Sequence, residues 1–189
     1  DYYLVADSDK KIYLIDRNAT GFKSIPLSTV EKTRSSAELR FSQVEGDKIS
    51  DDPNIFDEAW NAGLVGLAAD NLGAAQCALD QAVEYANQRE QFNRVIASFQ
   101  AVKHMCAEMA AQLEPCRAMV WYAAHAFNDI PEESTMMASH TKAHLSEVGQ
   151  FVTRTATEVH GGMGFTDLVG LHYWFKRCGF NRQALGSPE

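Results

Sequence analysis

The stretch from Glu84 to Met109 holds the residue types with the clearest capacity for chemistry. Its candidate binding residues are Arg89, Gln91, Phe92, Arg94 and Gln100. An arginine guanidinium can donate two parallel hydrogen bonds to a phosphate, and a phenylalanine ring offers a flat face for stacking. Together these side chains suit an aromatic ligand that carries phosphate. A polar corner between two helices, with one buried phenylalanine, is the simpler alternative, and the stretch taken alone favours it.

A second candidate site is the glycine run Gly161, Gly162 and Gly164. The dinucleotide-binding fingerprint requires a strand before its glycines, whereas a helical pattern precedes this run. The run therefore first predicts a helix C-terminus that uses positive φ angles. The same geometry lets a ligand approach the backbone, where successive N–H groups can bind an anion. Both interpretations stay open from the motif alone.

Other groupings of chemically active residues have less support. His140, His144 and Glu147 share one face of a predicted helix, but no His-Glu-x-x-His pattern accompanies them, so we expect no bound metal. The cysteines lack the neighbouring cationic motif that marks a nucleophile. No Gly-x-Ser-x-Gly elbow is present, which argues against a hydrolase.

Composition excludes several further classes. The 189 residues carry a formal net charge of −8, which argues against broad nucleic-acid binding because a phosphate backbone needs a basic surface. No window is apolar enough to span a bilayer, and no signal peptide is visible. The four cysteines show no paired zinc spacing. We interpret them as reduced residues, which predicts a cytoplasmic protein.

The segments that must position these residues fall into two parts, and they predict an α+β fold that is mainly α. In residues 1–50, period-2 patterning and turn residues predict four short strands that could form most of one sheet. In residues 51–189, helical periodicity predicts three long helices and one short helix in an antiparallel bundle. The acidic, polar segment from Ile49 to Asn54 is predicted to link the two domains.

Local signals predict how the helices begin and end. Asn93 or Ser98 is expected to cap the second helix by accepting a backbone N–H. Pro115 lies inside that helix and is expected to kink it or split it in two. Thr166 or Asp167 is expected to cap the last helix.

Taken in order, these features resemble the acyl-coenzyme A dehydrogenase family. The ordered set is a β segment, a long helix ending in Arg89-x-x-Phe92, then Ser98-Phe99-Gln100, then a helix closing on His160-Gly161-Gly162-x-Gly164-Phe165-Thr166. The resemblance covers nearly the whole chain, as the end of the family's middle β domain followed by its C-terminal helical domain. It implies that an N-terminal helical domain and half of the β domain are missing from this sequence, which does not begin with Met.

The resemblance also implies a function, the α,β-dehydrogenation of an acyl-CoA thioester by an FAD-dependent subunit. In the family a carboxylate takes the α-proton while the β-hydrogen passes as hydride to the flavin. The implied partners are the acyl-CoA substrate, further subunits of a homo- or hetero-oligomer, and electron-transfer flavoprotein. FAD binds across a subunit interface, and the contacts implied here are Arg89, Gln91, Phe92, Gln100, Gly161 and Gly162.

Two positions depart from the family pattern. Glu158 stands where relatives often have Gln, and its carboxylate would repel a pyrophosphate unless it is protonated or turned away. The family's catalytic carboxylate is absent both at Gly63, in the first long helix, and in Lys176–Asn181, after the glycine turn. Asp70 lies one heptad beyond Gly63, on roughly the same helix face, and is the candidate base.

The base assignment leaves alternatives open. A buried or interface aspartate is the structural alternative for Asp70, and Asp57 and Glu58 are further candidates with less support. The chain could therefore be an active subunit with a displaced base. It could instead be a catalytically reduced partner in a heteromeric acyl-CoA dehydrogenase, or a helical interaction domain without flavin.

Overall fold

The computed structural model describes residues 1–188, and the chain divides into two compact units, Asp1–Trp60 and the part from Asn61 onward. The strands of the first unit are β1 (Tyr2–Ala6), β2 (Ile12–Asp16), β3 (Phe22–Leu27), β4 (Ser36–Phe41) and β5 (Asp47–Ser50). All pairings are antiparallel, with β1, β2 and β5 in one sheet and β3 and β4 in another. The four predicted strands are present as β1 to β4, but they lie in two sheets rather than one, and a fifth strand was not predicted.

The missed strand, β5, explains the error in the linker prediction. Its sequence is polar and gives no period-2 signal, but its backbone pairs with β2 through Ile12↔Ser50 and Tyr13↔Lys48, across a register irregularity. Backbone pairing needs no apolar side chain, so sequence patterning does not reveal such a strand. The predicted linker from Ile49 to Asn54 instead contains the end of β5 and the start of a helix.

The helices are α1 (Pro53–Gln88), α2 (Gln100–Asp129), α3 (Pro131–His160) and α4 (Leu171–Gln183). The prediction of three long helices and one short helix in a mainly α, α+β fold is confirmed. In the unit from Asn61 onward, alanines of α1 pack without exposure against the apolar side chains of α2 and α3. Small side chains let the helix backbones approach closely, so the alanine-rich stripe of α1 sets the tight packing of the bundle.

The helix-start predictions are wrong. Phe99 is the N-cap of α2 and makes no side-chain capping bond, while Ser98 Oγ donates to the Val95 carbonyl at 2.7 Å. Gly170, at φ +65°, precedes α4, and Thr166 Oγ1 donates to the Met163 carbonyl at 2.8 Å. Each hydroxyl donates to a carbonyl within a short turn, and neither residue occupies the N-cap position of the helix.

α2 also continues through Pro115 as one helix rather than two. Pro115 is exposed, so water can satisfy the carbonyl that loses its helical partner.

Candidate functional site

The break between α1 and α2 is a tight β-hairpin, which corrects the predicted corner between two helices. Two-residue strands, β6 (Glu90–Gln91) and β7 (Arg94–Val95), pair antiparallel around Phe92 and Asn93. Both turn residues are left-handed, at φ +57° and +61°, as a type I′ hairpin requires. Asn tolerates this conformation, whereas a bulky residue such as Phe is strained in it.

The Phe92 side chain is 87% exposed, and its ring meets the edge of Phe99 at a centroid distance of 6.1 Å. Neither burial nor backbone preference accounts for this residue at this turn. A strained, exposed aromatic side chain is a feature that clusters at binding sites.

A cleft of about 420 Å³ brings the two predicted motifs together. Arg89 and Gln91 line it from the end of α1 and from the hairpin, and Gly161 and Gly162 line it from the end of α3. The other lining residues are Tyr85, Ile96, Val159, His160 and Met163. Residues that are some seventy positions apart in sequence thus form one surface with a cation, backbone amides and an apolar base.

Arg89 is held by its backbone and not by its side chain. Its N–H donates to the Tyr85 carbonyl at 2.8 Å, and its own carbonyl accepts from the Ile96 N–H at 2.8 Å. Within residues 1–188, its guanidinium makes no hydrogen bond and no ion pair. By contrast, the Arg94 guanidinium lies over the Phe99 ring, 3.9 Å from its centroid. The cleft therefore contains a cation available to an anion, while its neighbour is already stacked.

Two of the predicted contacts, Gln91 in the cleft lining and Gln100 in α2, have local hydrogen-bond partners. Gln91 Nε2 donates to the Glu90 carbonyl at 2.6 Å. Gln100 Nε2 lies 2.8 Å from Nε2 of His104, one turn later in α2. Neither Phe92 nor Gln100 is among the described residues that line the cleft.

The three glycines of the turn have different physical requirements. Gly161 has φ +58°, which side-chain-bearing residues rarely adopt. At both Gly161 and Gly162 an added Cβ would meet no atom within 4 Å, so their backbone faces open space. At Gly164 an added Cβ would lie 2.8 Å from the Thr157 carbonyl oxygen. Gly161 and Gly162 leave room for a ligand, whereas Gly164 is required by packing.

This difference gives a prediction that separates binding from folding. Gly164→Ala should lower the free energy of unfolding by about 1–3 kcal/mol, because the methyl group overlaps the α3 backbone. Gly162→Ala should leave the melting temperature nearly unchanged and weaken binding of the cleft's ligand. Thermal denaturation together with ligand titration of both variants checks this. The reverse order of the two effects would show that the open face of Gly162 is not a ligand surface.

Glu158 is directed away from the cleft. It lines a separate cavity of about 530 Å³ with Arg154, Phe165, Phe175 and Lys176 among its neighbours, and it is not among the described residues lining the cleft. A carboxylate at this position would repel a diphosphate unless it were protonated or turned away. In the structure, the Glu158 side chain is turned away from the cleft.

Asp70 is bound in an ion pair between α1 and α4. Arg177 Nε and Nη2 donate to its two carboxylate oxygens at 2.8 and 3.1 Å, and Asn181 Nδ2 donates to Oδ2. Both partners of the ion pair are about a quarter exposed. Asp70 precedes Arg89 by 19 residues of continuous helix, or roughly 28 Å along its axis. The carboxylate is well held, but away from the cleft.

The two other candidate bases, Asp57 and Glu58, differ in their contacts. Asp57 accepts from Lys10 Nζ at 2.6 Å in the first unit, and Glu58 is exposed. Gly63 faces Leu185, because an added Cβ at Gly63 would lie 2.7 Å from Leu185 Cδ1. The place where the resemblance puts a carboxylate is therefore filled by an apolar side chain.

The geometry agrees with a match to a known family model. Residues 54–189 match the model described as "Acyl-CoA dehydrogenase, C-terminal domain". The chain belongs to the acyl-CoA dehydrogenase family. The resemblance of its ordered motifs to that family is thereby confirmed, and the match covers all four helices and the glycine turn.

Two individual proteins are similar to this chain. "Acyl-CoA dehydrogenase IpdE2" of Mycobacterium tuberculosis is 34% identical over 170 residues, which cover 90% of this chain and 50% of the relative. "Caffeyl-CoA reductase-Etf complex subunit CarC" of Acetobacterium woodii is 36% identical over 118 residues, covering 62% of this chain and 31% of the relative.

A solved structure is also similar, that of "Electron transferring flavoprotein of Acidaminococcus fermentans: Towards a mechanism of flavin-based electron bifurcation". Its TM-score is 0.90 at 28% identity, over all of this chain and 53% of the other. The chain thus spans about half the length of IpdE2 and of this structural neighbour.

Five lining residues of the cleft were not predicted as site residues, and two of them, His160 and Tyr85, are in contact. Their rings stack with centroids 4.4 Å apart and an interplanar angle of 22°. Tyr85 lies one turn before Arg89, and His160 directly precedes Gly161. The i, i+4 spacing of Tyr85 and Arg89 would have placed both on one face of α1. Only the packing of α3 against α1 shows that a histidine completes this surface.

Several other features of the described chain bear on function. No group of three His, Cys, Asp or Glu side chains in residues 1–188 could hold a metal ion, and Glu147 accepts from Arg182 Nε at 3.0 Å. Burial raises the pKa of the Cys178 thiol to about 12, and the Asp70 charge adds to the effect. Cys178 therefore stays a neutral thiol, unsuited to nucleophilic chemistry. Within the same residues, no helix has both the length and the apolar character needed to cross a membrane.

Proposed function

We propose that this chain is the C-terminal part of an FAD-dependent acyl-CoA dehydrogenase subunit, and that its cleft holds the diphosphate of FAD. The observation that carries the proposal is the Arg89 guanidinium, which has no partner in residues 1–188 and lines the same cleft as the open Gly161–Gly162 backbone. A guanidinium and unhindered amides are the donors that a pyrophosphate requires. FAD, when bound, supplies the acceptor for the hydride that leaves the acyl β-carbon.

The other predicted contacts have supporting roles in this proposal. Phe92 offers an exposed ring face for the adenine, and Gln91 and Gln100 offer amides at either side of the hairpin. In this proposal, residues 1–50 would be the C-terminal part of a β domain, and residues 51–189 would be the helical domain. The names of two similar proteins, a reductase–Etf complex subunit and an electron-transferring flavoprotein, support electron-transfer flavoprotein as the redox partner. A cytoplasmic location stays part of the proposal.

We expect the full-length protein to be a dimer or a larger oligomer, because a cleft this open surrounds only one side of a cofactor. The test is the visible spectrum of the purified full-length protein, recorded together with light scattering at micromolar concentration. Oxidised-flavin absorbance in an oligomer is the expected result. A monomer that retains flavin would contradict the interface site, and an oligomer without flavin would favour a helical interaction domain.

A second candidate function is the catalytically reduced partner of a heteromeric acyl-CoA dehydrogenase. Two observations favour it: the Asp70 carboxylate is held by Arg177 and Asn181, and Leu185 fills the space beside Gly63. In this arrangement the chain contributes Arg89 and the glycine turn to a cofactor, and a carboxylate of another subunit removes the α-proton of the acyl-CoA substrate. A homo-oligomer that dehydrogenates an acyl-CoA thioester by itself would exclude this role.

A further inference from the structure

The cleft contains a histidine that the proposed function does not use. His160 is the last residue of α3, and its side chain is almost fully buried. Its Nδ1 lies 2.8 Å from the carbonyl oxygen of Ala156, one turn earlier. A carbonyl can only accept, so Nδ1 must carry the hydrogen. In the tautomer with its hydrogen on Nδ1, the uncharged ring has Nε2 as a hydrogen-bond acceptor.

Two contacts fix the orientation of the His160 ring and of its Nε2 atom. The bond to Ala156 sets the tautomer, and the stack on Tyr85 sets the plane of the ring. Nε2 has no hydrogen-bond partner in residues 1–188, and His160 is one of the residues that line the cleft. An oriented acceptor beside a set of donors is unexpected in a site that binds phosphate alone.

We propose that His160 Nε2 accepts a hydrogen bond from a ribose hydroxyl of the nucleotide whose diphosphate contacts Arg89. This inference rests on the proposed function and adds the atom that distinguishes a nucleotide from an inorganic diphosphate. Phosphate oxygens at neutral pH are acceptors, so an acceptor nitrogen does not complement them. The ribose hydroxyls are the nearest donors to the phosphates of a nucleotide, which suits a residue that directly precedes Gly161.

Two substitutions separate this role from a structural one. His160→Phe keeps the ring and its stack on Tyr85 but removes Nε2. His160→Gln removes the ring but can place an amide oxygen near the former position of Nε2. Full-length protein from which flavin has been removed would be titrated calorimetrically with ADP and with inorganic pyrophosphate at pH 8.

We expect His160→Phe to weaken ADP binding by roughly 5- to 10-fold, the loss of about one hydrogen bond, and to leave pyrophosphate binding unchanged. His160→Gln should recover part of the ADP affinity. One of the two deoxyribose analogues, 2′-deoxy-ADP or 3′-deoxy-ADP, should bind the unmodified protein as weakly as ADP binds His160→Phe.

The inference would be overturned if His160→Phe bound ADP with normal affinity and His160→Gln bound it weakly. That result would show that the ring acts only by stacking. Two other results would overturn the inference as well. One is an equal loss of affinity for ADP and for pyrophosphate in His160→Phe, and the other is full affinity of the unmodified protein for both deoxy-ADP analogues. In each of these cases ADP still binds the unmodified protein, so the proposed function stands. If the unmodified protein binds neither ligand, the cleft is not a nucleotide site and both proposals fail.

Discussion

Arg89→Ala is expected to lose its flavin during purification, whereas Arg94→Ala retains it. Two charge-assisted hydrogen bonds to a diphosphate contribute about 3 kcal/mol or more, which corresponds to roughly a 100-fold rise in Kd. The Arg89 side chain has no protein partner in residues 1–188, so its removal costs the fold little. The measurement is the ratio of bound flavin to protein, followed by titration of FAD into the flavin-free variants.

Arg94 is the matched control because it is a cation on the same hairpin, stacked on Phe99 at 3.9 Å. Its loss removes an exposed cation–π contact worth about 0.5–1 kcal/mol, which should appear as a small drop in melting temperature. Equal flavin content in the two variants would remove Arg89 from the binding site. Circular dichroism of both would verify that the hairpin change leaves the bundle intact.

Asp70→Asn is expected to lower the free energy of unfolding by about 1–3 kcal/mol while flavin stays bound. The amide removes the negative charge and replaces one acceptor oxygen with an NH2 donor, so the largely buried Arg177 guanidinium loses its ion pair with residue 70. Denaturant titration measures the stability change. Bleaching of bound flavin by an acyl thioester, in the same preparation, measures proton abstraction.

Arg177→Leu is the control that separates the two possible roles of Asp70. It breaks the same ion pair and should cost a similar amount of stability, but it leaves the carboxylate in place. If Asp70 only holds α1 against α4, both variants bleach as well as the unmodified protein does. Loss of bleaching in Asp70→Asn alone, with flavin content unchanged, would establish Asp70 as the base. The ion pair leads us to expect the first result.

Features that repeat along the sequence were predictable. Helical periodicity predicted three long helices and one short helix because each buries a continuous apolar stripe, and the stop at His160 followed from the glycines behind it. Arg89 and Gly161 were recognised as related only through their order along the chain, since seventy intervening residues conceal their proximity. Their position in one cleft is a property of how α1 packs on α3.

Features that depend on a single backbone conformation were not predictable. Phe92 at φ +57° contradicts its own preference, so no propensity argument indicates a type I′ turn there. The polar strand β5 forms because β2 has an edge to pair with, which its own sequence does not show. Ser98 and Thr166 are good capping residues by type, but the N-cap positions fall on Phe99 and Gly170. The role of His160 depends on a stack with a residue 75 positions earlier.

The contact between Gly63 and Leu185 couples the two positions. A side chain introduced at position 63 would meet the Leu185 side chain, since an added Cβ lies only 2.7 Å from Cδ1. Cδ1 is the far end of a flexible side chain that is 37% exposed, so Leu185 would turn aside rather than exclude the new group. A carboxylate regained on α1 would therefore cost the packing of one leucine, and a smaller residue at position 185 would lower that cost.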